Sequence, residues 1–288
     1  VTNAPEFPLS ASEVASFVSA GLKEDVGPGD ITCESVVPSD AVLSATLSAR
    51  DNAIICGMPL ARAFFRALDP DCVFETVIAD GDGAAAGDTL ARISGNARAM
   101  LTAERSALNT LQLLSGIATH TKRYVDKISH TSTKLLDTRK TIPGYRLLTK
   151  YATSCGGATN HRIGLFDAVM IKDNHIALAG TIEKAITAAQ NAGQSAIQAE
   201  CDTLEQARQA VSAGATSLLL DNMRPDCLRQ AVNAFGGQIP LEASGGITLK
   251  TIAAIAETGV DYVSVGGALT LSAPAIDIGM DYGTPSLK

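Results

Sequence analysis

The sequence predicts an α/β protein in which a small α+β unit precedes a longer alternation of strands and helices. Short apolar strands at 134–136, 168–171, 196–200, 216–220, 239–242 and 260–265 are separated by helical stretches. Such repetition implies parallel strands joined by right-handed crossovers. Before residue 98 the chain is instead strand-rich, with one or two covering helices. A full eight-stranded barrel takes about 250 residues, so six strands in roughly 160 point to a smaller or incomplete one. A doubly wound open sheet is the alternative.

Taken in order, Ser10-x-x-Glu13 is a capping box, and Val14, Phe17, Val18 and Leu22 follow on one helical face. Gly27-Pro28-Gly29-Asp30 stops that helix. Across 41–49, Leu43, Ala45 and Leu47 alternate with Ser44, Thr46 and Ser48, the pattern of a half-buried strand. A helix is expected over Met58–Leu68 and strands over 73–79 and 89–93, with glycine turns at Gly81, Gly83 and Gly87. From Arg98 a long helical pattern runs through Leu101, Leu108, Leu111 and Leu114. It breaks at Ser115-Gly116 and resumes towards Ile128. Among the later helices Thr203-x-x-Gln206 marks a start, and Gly193, Gly214 and Gly259 mark ends.

Composition narrows the function classes. The 288 residues suffice for two modest domains, and 46% are apolar, enough for sizeable cores. No apolar run nears the ~20 residues that cross a bilayer, and the first residues lack a secretory pattern. The six cysteines show no metal spacing, which fits reduced thiols in a cytoplasmic protein. Cys155, beside two glycines, reads as structural rather than reactive. A net charge of −7 argues against a nucleic-acid partner.

Within this acidic chain one stretch is basic. Residues 134–175 hold seven Lys or Arg and three Asp, whereas the rest holds 16 basic and 27 acidic residues. These charges follow apolar strands, where parallel α/β sheets gather their active face. Asp137-Thr138-Arg139-Lys140 follows the first strand and Lys172-Asp173-Asn174-His175 the second. Glu200 closes the third, Asp221-Asn222 follows the fourth, Ser244-Gly245-Gly246 the fifth and Gly266-Gly267 the sixth. A small anionic ligand suits such a mouth better than a solvated basic face does.

Each group suggests a chemistry. The glycine loops at Ser244-Gly245-Gly246 and Gly266-Gly267 leave backbone N–H groups open to a phosphate. Glu200 and Asp221 end neighbouring strands, where they can hold a Mg²⁺ that bridges substrate phosphates or transfer protons. The bland alternative is charge balance with Lys140 and Lys172. Arg139 and Arg162, with Arg105 from the preceding helix, offer planar forks for carboxylates. His161, between Asn160 and Arg162, is a candidate substrate contact. His120 and His130 read as structural, and His175 is unassigned.

The motifs LTAERSALN (101–109), LSGIAT (114–119), DTRKTIPGYR (137–146), GGATNHRIGL (156–165), IKDNH (171–175), EASGGIT (242–248) and DIGMDY (277–282) carry a resemblance over nearly the whole chain. They closely resemble the quinolinate phosphoribosyltransferase family, the carboxylating nicotinate-nucleotide pyrophosphorylases. The resemblance implies an N-terminal α+β sandwich over 1–113, an incomplete parallel α/β barrel over 114–274, and packing of 275–288 back on the first domain. It implies transfer of phosphoribose from 5-phosphoribosyl-1-pyrophosphate to quinolinate with loss of CO₂, giving nicotinate mononucleotide for NAD synthesis in the cytoplasm. It further implies a homodimer and Mg²⁺. Arg139, His161, Arg162 and Lys172 would then hold the pyridine dicarboxylate, with Arg105 arriving from the partner subunit. Lys140 would stand between quinolinate and pyrophosphate, Glu200 and Asp221 would serve Mg²⁺ and ribose, and the glycine loops would take the 5-phosphate. Thr138 belongs to the same binding set. Where the family commonly reads VGALTHS, residues 265–272 read VGGALTLS, with an added glycine and Leu271 in place of His.

Three rival readings are a molybdenum-transport-type relative, a barrel lyase using Lys140 or Lys172 as a Schiff-base nucleophile, and a non-catalytic anion binder. The complete TRKT, NHR and KDNH set argues against the first.

Overall fold

A computed structural model describes residues 5–282, and two compact units divide them. The first comprises residues up to His120, then Leu147–Gly156, and the chain from Ala273 onward. The second comprises Thr121–Arg146 and Gly157–Ser272. These limits differ from the expected 1–113 and 114–274: the first unit extends to His120 and reclaims 147–156.

In the first unit, α1 (Ala11–Val26) starts on the Ser10–Glu13 capping box. The helix α2 (Ile31–Val36) was not anticipated; Asp30 starts it by accepting from the N–H groups of Thr32 and Cys33. There follow β1 (Val42–Ala49), β2 (Ala53–Ile54), α3 (Met58–Leu68), β3 (Val73–Thr76), β4 (Gly83–Ala84) and β5 (Thr89–Asn96). The predicted break at Ser115-Gly116 does not exist. α4 (Ala97–Ile128) runs through it as one 32-residue helix. The small residues serve packing instead. The Ser115 hydroxyl bonds the N–H and C=O of Cys56 at 3.0 and 3.2 Å, and a Cβ on Gly116 would lie 2.3 Å from the Pro274 carbonyl oxygen.

The second unit carries the parallel strands. After β6 (Lys134–Leu136), and past α5 (Arg146–Cys155), which belongs to the first unit from Leu147 on, come β7 (Val169–Ile171), α6 (Asp173–Ala179), α7 (Ile182–Asn191), β8 (Ile197–Cys201) and α8 (Leu204–Ser212). Then follow β9 (Ser217–Asp221), α9 (Pro225–Phe235), β10 (Leu241–Ser244), α10 (Ile252–Ala256), β11 (Tyr262–Ser264) and α11 (Gly267–Thr270). The last strand, β12 (Ile278–Tyr282), returns to the first unit and pairs antiparallel with β1.

Four strands of the first unit order as β12-β1-β5-β3, over a core that includes Leu47, Phe64, Phe65, Leu90 and Leu111. The six parallel strands order as β6-β11-β10-β9-β8-β7, so the first strand lies beside the last. This cyclic order is that of a barrel, and its open side lies between β6 and β7, where a single bridge joins Leu136 to Thr159. Ile186, Leu218, Leu220, Leu241 and Val263 are among its fully buried residues. Full burial of each is worth about 1.5–3 kcal/mol, which anchors the strands whose upper ends carry the polar residues.

Candidate active site

Strand alternation determines which residues share the mouth of the second unit. In the register of β8, β9 and β10, Glu200 lies level with Leu219 and Leu219 with Glu242; two residues further on, Asp221 lies level with Ser244. A cavity of about 420 Å³ opens there. Thr138, Arg139, Lys140, His161, Arg162, Lys172, Glu200, Asp221 and Ser244 line it, as the sequence suggests, together with Met170, Leu219, Glu242 and Ser264. The last four escaped the sequence reading. Each strand residue among them lies two positions before a strand-end residue or at the strand's own end, so reading the alternation backwards from Lys172, Asp221 and Ser244 finds three of them.

The basic block does not all converge on this cavity. Arg146 is a brace: it donates to Thr141 Oγ1 at 3.2 Å, to the Ile163 carbonyl at 3.3 Å and to the Arg139 carbonyl at 3.4 Å. Lys150 is buried on α5. Asp137 is fully buried and accepts from the His161 N–H at 2.7 Å and Asn160 Nδ2 at 2.9 Å. It thereby ties the loop after β6 to the segment carrying His161 and Arg162.

Arg139 and Arg162 are the anion-seeking pair. Burial, and next the like charge of Arg139, pull the Arg162 guanidinium below its ordinary pKa, while Asp167 opposes. Arg162 donates to the Ala168 carbonyl at 3.0 Å and to Met170 Sδ at 3.7 Å. The Nε of Arg139 is buried and has no partner among the described residues. Two guanidinium groups brought together, one with an orphan donor, form a receptor for carboxylates.

His161 lines the cavity beside Arg162. Its Nδ1 accepts from the Arg162 N–H at 2.8 Å, and its Nε2 meets Glu242 Oε2 at 3.2 Å. Both ring nitrogens thus meet groups of the protein in this structure. His175 turns out to be a helix cap, its Nδ1 accepting from the Lys172 N–H at 2.9 Å.

Lys172 pairs with Glu200. Asp221 accepts from Asn222 Nδ2 at 2.6 Å. Among the described residues no group of three or more His, Cys, Asp or Glu could enclose a metal. Two carboxylates on adjacent strands fit a Mg²⁺ that keeps its waters and arrives with phosphates, rather than a caged ion. Gly245 (φ +94°) and Gly246 (φ +60°) occupy left-handed backbone. A Cβ on Gly245 would strike Asn222 Oδ1 at 2.2 Å, so that turn requires glycine. Gly266 and Gly267 sit at the start of α11, and Leu271 behind them is exposed. Arg105 belongs to the first unit, exposed on α4.

Two family models cover most of the chain: quinolinate phosphoribosyl transferase, N-terminal domain, matches 30–115, and its C-terminal domain matches 117–281. The chain belongs to the quinolinate phosphoribosyltransferase family. It is thus kin to pentosyltransferases. A probable carboxylating nicotinate-nucleotide pyrophosphorylase of Synechocystis is 42% identical over 264 residues, covering 90% of this chain and 89% of that relative. One from Bacillus subtilis is 42% identical over 260 residues with the same coverage. The solved nicotinate-nucleotide pyrophosphorylase of Francisella tularensis superposes with a TM-score of 0.92 at 40% identity, over 98% of this chain and 100% of that one. The family match agrees with the expected α/β architecture. Among the described residues no helix is long and apolar enough to cross a membrane.

Proposed function

We propose that this protein joins quinolinate to 5-phosphoribosyl-1-pyrophosphate, releasing pyrophosphate and CO₂ and yielding nicotinate mononucleotide for NAD synthesis. The observation that carries this reading is the Arg139–Arg162 pair, with its orphaned buried Nε, in the cavity of a chain from this family. A vicinal dicarboxylate is the small anion that gives each guanidinium a carboxylate.

Held by Arg139, Arg162 and Lys172, the pyridine ring turns its nitrogen lone pair towards C1 of the ribose. The C1–O bond to pyrophosphate breaks as the C1–N bond forms, and Lys140 meets the negative charge gathering on the leaving group. Glu200 and Asp221 would hold a Mg²⁺, which when bound would neutralise charge on the departing pyrophosphate. Thr138 shapes the turn that carries Lys140, whose N–H donates to its Oγ1 at 3.0 Å. Ser244, Gly245, Gly246, Gly266 and Gly267 receive the 5-phosphate on open backbone N–H groups. In the product-forming step the bond from C2 to its carboxylate breaks. The electron pair stays on C2 beside the pyridinium nitrogen, CO₂ leaves, and a proton from water completes the ring.

The working form is a homodimer in which Arg105 reaches the partner's cavity. A cytoplasmic setting suits its six free thiols. Incubation with quinolinate, 5-phosphoribosyl-1-pyrophosphate and Mg²⁺ tests the reading by chromatography. Nicotinate mononucleotide and pyrophosphate in equal amounts support it, and no nucleotide from folded protein refutes it.

A further inference from the structure

Lys172 and Lys140 both line the cavity, but they are held differently. Lys172 is fixed through its ammonium, which pairs with Glu200. Lys140 is exposed and is fixed through its peptide groups. Its N–H donates to Thr138 Oγ1 at 3.0 Å, and its C=O accepts from Thr270 Oγ1 at 2.5 Å. Its stem then runs along Gly266, where a Cβ would fall 2.7 Å from Lys140 Cδ.

Thr270 is the member of this set that the proposed reaction leaves unused. It lies 130 residues from Lys140 in the chain, is the last residue of α11 and is 4% exposed. A hydroxyl buried to that degree needs a partner, and the Lys140 carbonyl accepts from it. The turn that carries Thr270 is itself held firmly against β6. Ser264 pairs with Leu136, and the Val265 N–H donates to the Leu136 carbonyl at 3.1 Å. Further on, the Leu269 N–H donates to the Gly266 carbonyl and the Ser272 N–H to the Gly267 carbonyl, each at 2.9 Å. The chain after β6 is thus bonded to a wound, fixed turn. Because the Lys140 ammonium rides on a flexible four-carbon stem, a small rotation of its peptide displaces the charge by a larger amount.

We propose that Thr270 is a positioning residue for Lys140: its buried hydroxyl fixes the Lys140 peptide so that the ammonium extends along Gly266 towards the departing pyrophosphate. The segment that would receive the 5-phosphate then also sets the cation that meets the leaving group. This inference rests on the proposed reaction for what Lys140 does, and on the geometry alone for what holds it.

The test is a double-mutant cycle on the whole protein, read by steady-state kinetics with quinolinate, 5-phosphoribosyl-1-pyrophosphate and Mg²⁺. Thr270→Val keeps the side-chain shape and removes the donor. Its kcat should fall roughly tenfold, the scale of one lost buried hydrogen bond, while the KM for quinolinate moves little. Thr270→Ser keeps the hydroxyl and should retain most of the wild-type kcat. In a Lys140→Met background Thr270→Val should cost no further activity, because the group it positions is gone. The same loss in that background, no loss from Thr270→Val alone, or an equal loss in Thr270→Ser would overturn the proposal. Should Thr270→Val fail to fold, Thr270→Ala carries the same cycle. Full activity of Lys140→Met would instead refute the part given to Lys140 in the reaction. A crystal structure of the Thr270 variant then decides the hold: a displaced Lys140 supports it, and an unmoved one overturns it.

Discussion

Gly266 lies against the side chain of Lys140: a Cβ placed there would fall 2.7 Å from Lys140 Cδ and 3.1 Å from its Nζ. The glycine-rich loop that departs from the common family pattern is thus the surface along which Lys140 extends. The Thr270 hydroxyl adds a hydrogen bond to the Lys140 carbonyl at 2.5 Å. Gly266→Ala is therefore expected to push the ammonium aside. Because a flexible side chain yields, stability should change by less than about 0.5 kcal/mol. A misplacement near 1 Å can cost on the order of 100-fold, so kcat should fall by tens of fold while the KM for quinolinate moves little. Steady-state kinetics beside a thermal melt separate the two effects.

The carboxylates predict a metal dependence. Glu200→Gln and Asp221→Asn should each raise the Mg²⁺ concentration needed for half-maximal turnover. Glu200→Gln should also release Lys172, its ion-pair partner, and so alter quinolinate affinity modestly. Titrating Mg²⁺ against both variants checks this, and unchanged metal dependence would return the pair to charge balance.

Much of the second unit was legible because its information is local. Apolar strands, capping residues and C-terminal glycines recur in order, and the parallel register follows from them. Residues at strand ends were found for the same reason. Glu242 was not, because within 239–242 it read as the last residue of an apolar strand; its contacts, His161 and Gln198, lie 81 and 44 residues away in the chain. The false break at Ser115-Gly116 has a similar origin. Small residues signal a turn when read locally, whereas here they admit the Pro274 backbone and bond Cys56.

Stability should respond to acid through Asp30. Hydrogen bonds from Cys33, and then from Thr102, hold its carboxyl down to about 2, against an ordinary 3.8. A depressed folded pKa gives stability that is present above 3.8 and lost as pH falls through about 2. Asp30→Ala removes the α2 cap and should cost about 1 kcal/mol at neutral pH. The gap between wild type and variant should close as pH falls from 4 towards about 2 in urea titrations. A gap that stays constant would assign the effect to packing.

The proposed sharing of Arg105 between subunits predicts complementation. Arg105→Ala and Arg139→Ala should each be nearly inactive, because each removes a cation from every cavity of the proposed homodimer. In mixed dimers one cavity keeps its own Arg139 and receives an intact Arg105. Random re-pairing therefore restores about one quarter of all sites. Co-expression should recover up to that fraction of activity. A mixture that stays dead despite demonstrated exchange would place Arg105 in its own chain's service.

The central claim is that the Arg139–Arg162 pair is built for two carboxylates, and a comparison of quinolinate with nicotinate tests it most directly. Nicotinate lacks one carboxylate and leaves half-buried positive charge uncompensated, at a cost of up to about 3–5 kcal/mol. Measured side by side with 5-phosphoribosyl-1-pyrophosphate and Mg²⁺, kcat/KM should favour quinolinate by at least about 100-fold, with one CO₂ released per nucleotide. Comparable turnover on the two acids would contradict the account.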